Sequence, residues 1–232
     1  MRLKITYIYH NCFVISDNKL NLIFDHPDTE FMTSSALKAL SEAICKGENI
    51  YFFSHSHHDH FNHDICRNHT CIMSKDIPDT GIDDDDHIKW LAPGDTHRIN
   101  SDLIIQEVIQ SNDQGVAFLL EWHGRTIYFG GDLAEWDWND LTPEESEQFI
   151  DYFRNIIDRL SEKDIDIAFT NADNRLDNLS GFAKFYNTVK PGILVPMHFF
   201  GNTAVFDEID TVQRIPSSKI FRYTHPGDYF LT

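Results

Sequence analysis

The chain has no apolar run approaching the roughly 20 residues that span a bilayer. Its opening residues, Met1-Arg2-Leu3-Lys4, lack the apolar core of a secretion signal. Both absences predict a cytoplasmic protein without a membrane partner. Positive charge is scarce: 19 Lys and Arg face 37 Asp and Glu, a formal charge of −18 with His neutral. The basic footprint that grips a phosphate backbone is missing, so nucleic acid is not an expected partner. Cysteine is sparse. Cys12, Cys45, Cys66 and Cys71 include no pair with the two-residue gap of a zinc knuckle or redox motif. Free, mostly buried thiols are therefore expected. No short-period repeat is visible, and no Gly-x-Ser-x-Gly elbow offers a side-chain nucleophile. What remains is a globular protein whose partner is a small molecule. Nothing in the pattern specifies an oligomer.

The material for a core is present. Hydrophobic residues make up 41% of the 232 positions, 18 of them Phe. One domain over residues 1–232 can be stable without covalent staples. Alternating or apolar runs predict strands over 3–9, 12–16 and 20–25, an antiparallel opening meander. A helix over 34–46 follows, with Thr33 or Ser34 as cap and Gly47 as stop. Next come a strand over 50–53, a short helix from 62 or 63 to 67, and strands over 70–73, 87–91, 96–99, 103–109, 116–122 and 126–129. Asp83-Asp84-Asp85-Asp86 reads as a solvated surface loop. The longest helix covers 143–160, with Thr142 as cap, Pro143 in its first turn and one apolar stripe. Strands over 165–169 and 193–197 flank a helix over 179–189. A helix over 203–214 and strands over 220–223 and 228–231 close the chain. This order fits an α/β fold of two mixed sheets packed face to face with helices outside.

The chain is organised around Phe53-Ser54-His55-Ser56-His57-His58-Asp59-His60-Phe61, at the carboxyl end of an apolar strand. Ligand sites favour that position in open α/β sheets. His55 and His57 are two apart and share one side of an extended segment. Asp59 and His60 lie where the chain turns and can face a second point. Neutral imidazole and carboxylate suit Zn2+, one ion or two, with Mn2+ or Fe2+ as alternatives. Gly130-Gly131-Asp132 and Pro196-Met197-His198 end two further strands. Metal-ligand residue types at several separate strand ends favour a metal site over a local His-rich loop. His10, at a strand end, is a candidate for lining that site. Asp25 reads as a turn residue or a helix cap. Arg175 is the one Arg on an expected rim loop, suited to a carboxylate or phosphate. Asp173 can hold Arg175 or orient a ligand. Trp136, Trp138, Phe199 and Phe200 are candidate pocket walls.

The pattern His55-x-His57-x-Asp59-His60 resembles the metallo-β-lactamase superfamily of metal-dependent hydrolases. Tyr9-His10-Asn11-Cys12-Phe13 and Pro196-Met197-His198 look most like the branch related to L-ascorbate-6-phosphate lactonase. The resemblance implies a four-layer αβ/βα sandwich and hydrolysis of a small-molecule ester, lactone, amide or phosphoester by metal-activated water. It implies that one metal takes His55, His57 and Asp132, and the other Asp59, His60, Asp132 and His198. Asp132 bridges them, and Asp25 supports the metal loop from behind. Asp59 can also orient the water as a base, so Asp59 and Asp132 are the catalytic candidates. The family's usual third His for the first metal should stand near residues 110–115, where the sequence has Gln110-Ser111-Asn112-Asp113-Gln114-Gly115. Asn112 or Asp113 through oxygen, or Ser111 through water, are the substitutes at hand. The alternatives are a non-catalytic or regulatory metal-binding protein with a degenerate first site and, on a different chemistry, a mononuclear iron dioxygenase. A nuclease is disfavoured by the acidic surface.

Overall fold

The computed structural model describes residues 2–78, 87–213 and 215–232. The acidic run Asp83–Asp86 lies outside the described residues. The chain forms two compact units, Met1–Ala92 with Tyr223–Thr232, and Pro93–Arg222.

The first unit holds β1 (Lys4–Tyr9), β2 (Cys12–Ser16), β3 (Leu20–Phe24), β4 (Glu48–Phe53), β5 (Thr70–Ser74), β6 (Ile88–Leu91) and the last strand of the chain, β13 (Tyr229–Leu231). They form one mixed sheet in the order β13-β1-β2-β3-β4-β5-β6. The expected meander is there: β1, β2 and β3 pair antiparallel. From β3 onward the pairing is parallel. Parallel pairing brings the carboxyl ends of neighbouring strands side by side. Phe24 pairs with Phe52, and the Asp25 N–H donates to the Phe52 carbonyl at 2.8 Å. The residues that follow β3 and β4 are therefore neighbours.

Helix α1 (Ser34–Ala43) starts where Thr33 accepts the Ala36 N–H, as expected, but stops three residues before Lys46. The buried Asn21 amide donates to the Lys46 carbonyl at 2.7 Å and fixes the turn that follows the helix. Gly47 follows at φ +87°, where an added Cβ would meet the Lys19 carbonyl oxygen at 2.6 Å. Only glycine fits that turn. Helix α2 (His63–Cys66) is a single turn capped by Asn62.

The second unit holds β7 (His97–Arg98), β8 (Leu103–Gln110), β9 (Val116–Trp122), β10 (Arg125–Phe129), β11 (Ile167–Asn171) and β12 (Ile193–Met197), in the sheet order β12-β11-β10-β9-β8-β7. β7 to β10 are antiparallel; β10, β11 and β12 are parallel. Helix α3 (Pro143–Leu160) has the predicted bounds, with a Thr142/Glu145 capping box, and buries Phe153, Ile156, Ile157 and Leu160. The two mixed sheets with their helices establish the α/β class.

Beyond the early end of α1, four further expectations are corrected. β11 runs to Asn171 rather than from 165 to 169, because Thr170 and Asn171 pair with Pro196 and Met197. The helix expected over 179–189 is broken: Ser180 and Gly181 take φ +54° and +81°, and α4 (Phe182–Val189) starts only afterwards. The break leaves the Ser180 carbonyl for the Glu135 N–H and the Ser180 hydroxyl for the Asp173 N–H. The segment expected as one helix over 203–214 is α5 (Val205–Glu208) followed by a π-helical turn, Ile209–Gln213, and residue 214 is not described. Residues 220–223 are not a strand. Ile220 makes one bridge to Leu194, and Tyr223 is committed to stacking on Tyr7 with ring centres 4.0 Å apart.

Candidate metal centre

Candidate ligands sit at the carboxyl ends of parallel strands in each unit. In the first, Asp25 follows β3 at φ +41°, fully buried. Its carboxylate is the hub of the metal loop. Oδ1 accepts the Ser54 N–H at 2.8 Å, and Oδ2 accepts the Ser54 hydroxyl at 2.8 Å and His60 Nδ1 at 2.9 Å. Ser54 Oγ also lies 2.8 Å from His55 Nδ1. Two imidazoles are thereby locked through their Nδ1 atoms, which leaves their Nε2 atoms on the side away from Asp25 and Ser54. Asp25, His55 and His60 each offer a ligand atom within 4.8 Å of the others.

His57 is exposed, with its Nδ1 3.0 Å from His55 Nε2. Its carbonyl accepts the backbone N–H groups of His60 and Phe61, closing the turn that carries Asp59. The Asp59 side chain is 21% exposed, and its Oδ2 lies 3.8 Å from His60 Nε2 and 3.4 Å from His10 Nε2. His10 is buried and edge-on to the His60 ring at 5.1 Å.

In the second unit Asp132 follows β10 through Gly130 and Gly131, Asp173 follows β11, and His198 follows β12. Parallel pairing again gathers them. His198 Nδ1 bonds to Asp173 Oδ2 at 3.0 Å, and its Nε2 stands 3.5 Å from Asp132 Oδ1. Arg175 closes a fork on Asp173, with Nε at 2.9 Å from Oδ1 and a second contact from Nη2. Its guanidinium lies 5.1 Å from the ring centres of both Trp138 and Phe200. Trp136 packs beside His198 at 5.2 Å and donates its indole N–H to the Asp132 carbonyl at 2.8 Å.

Electrostatics follow from this packing. Burial alone would lower the His198 pKa. The Asp132 and Asp173 carboxylates beside its two ring nitrogens overcome that and push it up to about 10. Burial would raise Asp173, but Arg175 and His198 hold it well below the usual carboxylate range. Without a cation, a proton occupies His198; a cation at Nε2 would replace it.

The donor set fits a divalent cation. His60 and His198 are arranged alike: Nδ1 fixed by a carboxylate at hydrogen-bond distance, Nε2 facing a second carboxylate at 3.8 or 3.5 Å. That second spacing is long for a charge-assisted hydrogen bond. It matches two donors sharing one ion, because bonds of about 2.0–2.1 Å at tetrahedral angles put them about 3.3 Å apart. The carboxylate–imidazole pairing behind each Nε2 is the support that metal-bound histidines usually have.

Of the three substitutes for the missing histidine, Asn112 is tied into the backbone. Its Oδ1 accepts the Ala134 N–H at 3.2 Å and its Nδ2 donates to the Ala134 carbonyl at 2.7 Å, bracing the segment after Asp132. Ser111 is buried and its hydroxyl accepts the Asp113 N–H at 3.2 Å; Asp113 itself is exposed.

Sequence reasoning passed over three supporting residues. Ser54 joins Asp25 to His55, and its position inside the His-rich stretch was the available signal. Asn171 is buried and donates to the carbonyls of Gly131 and Leu133 at 3.0 and 3.4 Å, setting the Asp132 turn. Glu135 is buried against Lys184 and Asn178, and no sequence pattern marks it.

A search of curated protein sequences finds no match to the chain. Among solved structures it is similar to Igni18, a metallo hydrolase of Ignicoccus hospitalis, with a TM-score of 0.67 and 15% identity over 100% of this chain and 99% of that one. It is similar to YhfI of Bacillus subtilis, a metallo-beta-lactamase fold protein, with a TM-score of 0.63 and 14% identity over 100% and 99%. It also resembles CmlA, a diiron beta-hydroxylase of Streptomyces venezuelae, with a TM-score of 0.62 and 12% identity over 99% of this chain and 54% of that one. At such identities these likenesses concern the fold alone. The family described as beta-lactamase superfamily domain matches residues 4–198, and the chain belongs to it.

Proposed function

We propose that the protein is a metal-dependent hydrolase of a small-molecule ester, lactone, amide or phosphoester. The ligands are His55, His57, Asp59 and His60 from the first unit and Asp132 and His198 from the second, acting as one domain over residues 1–232. The observation that carries this reading is the repeated arrangement of His60 and His198, each pinned by a buried carboxylate and presenting Nε2 to a second one at 3.8 and 3.5 Å.

Bound Zn2+, or Mn2+ or Fe2+, would act as a Lewis acid and lower the pKa of water. Igni18, named a metallo hydrolase, supports the hydrolytic reading; CmlA, named diiron, keeps iron among the candidates. The chain's own residues do the rest. Asp25 and Asp173 fix the imidazoles in one tautomer and direction. Asp59, a fifth exposed, can accept a proton from water. Arg175, backed by Asp173 and two aromatic rings, suits a substrate bearing a carboxylate or phosphate. The Tyr9–Phe13 and Pro196–His198 segments favour the lactonase-like branch within the family.

Metal analysis of protein purified without added metal, followed by a hydrolysis screen over lactones, phosphoesters and thioesters, tests the proposal. Bound metal with turnover of one class is expected. Metal-free protein that neither binds Zn2+, Mn2+ or Fe2+ nor turns over any substrate overturns it. One tightly held ion without turnover would favour a non-catalytic metal-binding protein, the reading suggested by the absence of His from residues 110–115.

A further inference from the structure

We infer that His10 is a metal ligand, joining Asp59 and His60 on one cation and adding an imidazole that the family's motif does not provide. The inference rests on the metal-site reading above and extends it.

The first observation is the turn. Tyr9 pairs with Cys12, so His10 and Asn11 form a two-residue hairpin turn between β1 and β2. Such turns favour Gly, Asn or Asp at solvent-facing positions. Here the first turn residue is a histidine at φ +50°, with 1% of its surface exposed. Turn chemistry does not select a buried imidazole there. Strained backbone that aims a functional group inward is common at sites.

The second observation is where the ring points. His10 Nε2 stands 3.4 Å from Asp59 Oδ2, and His60 Nε2 stands 3.8 Å from the same oxygen. The two rings meet edge to face at 5.1 Å. Both imidazoles thus direct Nε2 at one carboxylate oxygen. At 3.4 Å the His10 contact is longer than a direct charge-assisted bond, which is about 2.7–2.9 Å. It agrees with the separation of about 3.3 Å between donors sharing a tetrahedral ion. Two neutral imidazoles and one carboxylate are donor types that suit zinc.

The third observation concerns the missing ligand. The segment 110–115 supplies no histidine, and Asn112, one of its oxygen donors, is spent on Ala134. An imidazole from the β1–β2 turn strengthens the other cation and favours a protein holding one ion firmly and the second weakly.

The test uses the full chain with Zn2+ for affinity and Co2+ as spectroscopic probe. The variants are His10→Asn, which suits a left-handed backbone, His10→Gln, which keeps a side-chain N–H donor, and His60→Asn as reference. Outer-sphere partners of a metal site typically cost about 10–100-fold in affinity. His10→Asn is expected to weaken the tighter Zn2+ site by more than about 100-fold, approaching His60→Asn. The Co2+ visible absorption should change in shape, and His10→Gln should not restore it. An unaltered Co2+ spectrum with a loss inside the outer-sphere range, or recovery in His10→Gln, overturns the inference and makes His10 a hydrogen-bond donor that positions Asp59. In that case His60→Asn still loses the metal and the metal-site reading stands. Wild-type protein that binds neither ion overturns both.

Discussion

The two units solve one problem in different ways. Each presents a histidine Nε2 by bonding its Nδ1 to a carboxylate at the end of a parallel strand: Asp25 for His60, Asp173 for His198. The first anchor is sealed. Asp25 is fully buried, and its bonds come from Ser54 and His60. The second anchor is open on one side, because Asp173 is gripped by Arg175, whose side chain is half exposed. A sealed hub depends on every partner being present. An ion-paired hub exchanges lost contacts for water. The first unit is therefore the brittle half of the proposed centre and the second the tunable half.

The sharpest break is at the ligand shared by both metals in the proposed set. Asp132→Ala should abolish turnover and lower metal content, measured by elemental analysis beside wild type. Unchanged stoichiometry would remove Asp132 from the centre.

Next in size is a matched pair. Asp25→Asn places an amide N–H against donors with no water to take them, at a cost of about 2–3 kcal/mol. Asp173→Asn should cost less, since Arg175 can turn to solvent. Urea midpoints of the two variants decide it. Equal losses would dissolve the distinction between the anchors.

The third prediction is a pH arm. The raised pKa of His198, about 10, means its contribution to metal-free stability is complete below about 6.5 and lost as pH climbs through 10. Urea midpoints of the apo protein should fall across that window, and His198→Gln should flatten the fall. Zn2+ binding at pH 7 should release a proton, seen as a buffer-dependent heat in calorimetry. A buffer-independent heat would place the metal away from His198.

The smallest effect belongs to Arg175→Ala. A half-exposed ion pair contributes roughly 0–1 kcal/mol at neutral pH. The depressed Asp173 pKa gives stability that is present above about 3.9 and lost as pH falls toward its folded value. Removing Arg175 raises that folded value, so less stability is lost on acidification, and the acid arm of Arg175→Ala should be shallower than wild type.

Much of this was legible from residue types. Runs of apolar residues located most strands, and Thr142, Pro143 and one apolar stripe located α3. His55 to His60, Asp132 and His198 stood out because imidazole and carboxylate are unusual directly after buried strands. The misreadings share a cause. The apolar run predicts a strand that stops before the first polar residue, yet Thr170 and Asn171 continue the ladder because Pro196 and Met197 pair with them. The helix expected from Leu179 is broken at Ser180 because Glu135 and Asp173 claim its carbonyl and hydroxyl. In both, a distant partner outweighed local preference, which a single sequence does not display.

The sequence alone determined the α/β class, the strand-end placement of the metal-type side chains and the absence of a histidine from residues 110–115. These depend on local periodicity and on which residues exist. Tertiary structure alone decided that Asp25 and Asp173 are the carboxylates behind His60 and His198, that Ser54 and Asn171 brace the turns, and that His10 faces Asp59. Those relations join positions 35, 25 and 40 residues apart, as in Asp25–His60, Asp173–His198 and Gly131–Asn171. Parallel strand pairing sets such neighbours, and no local pattern records it.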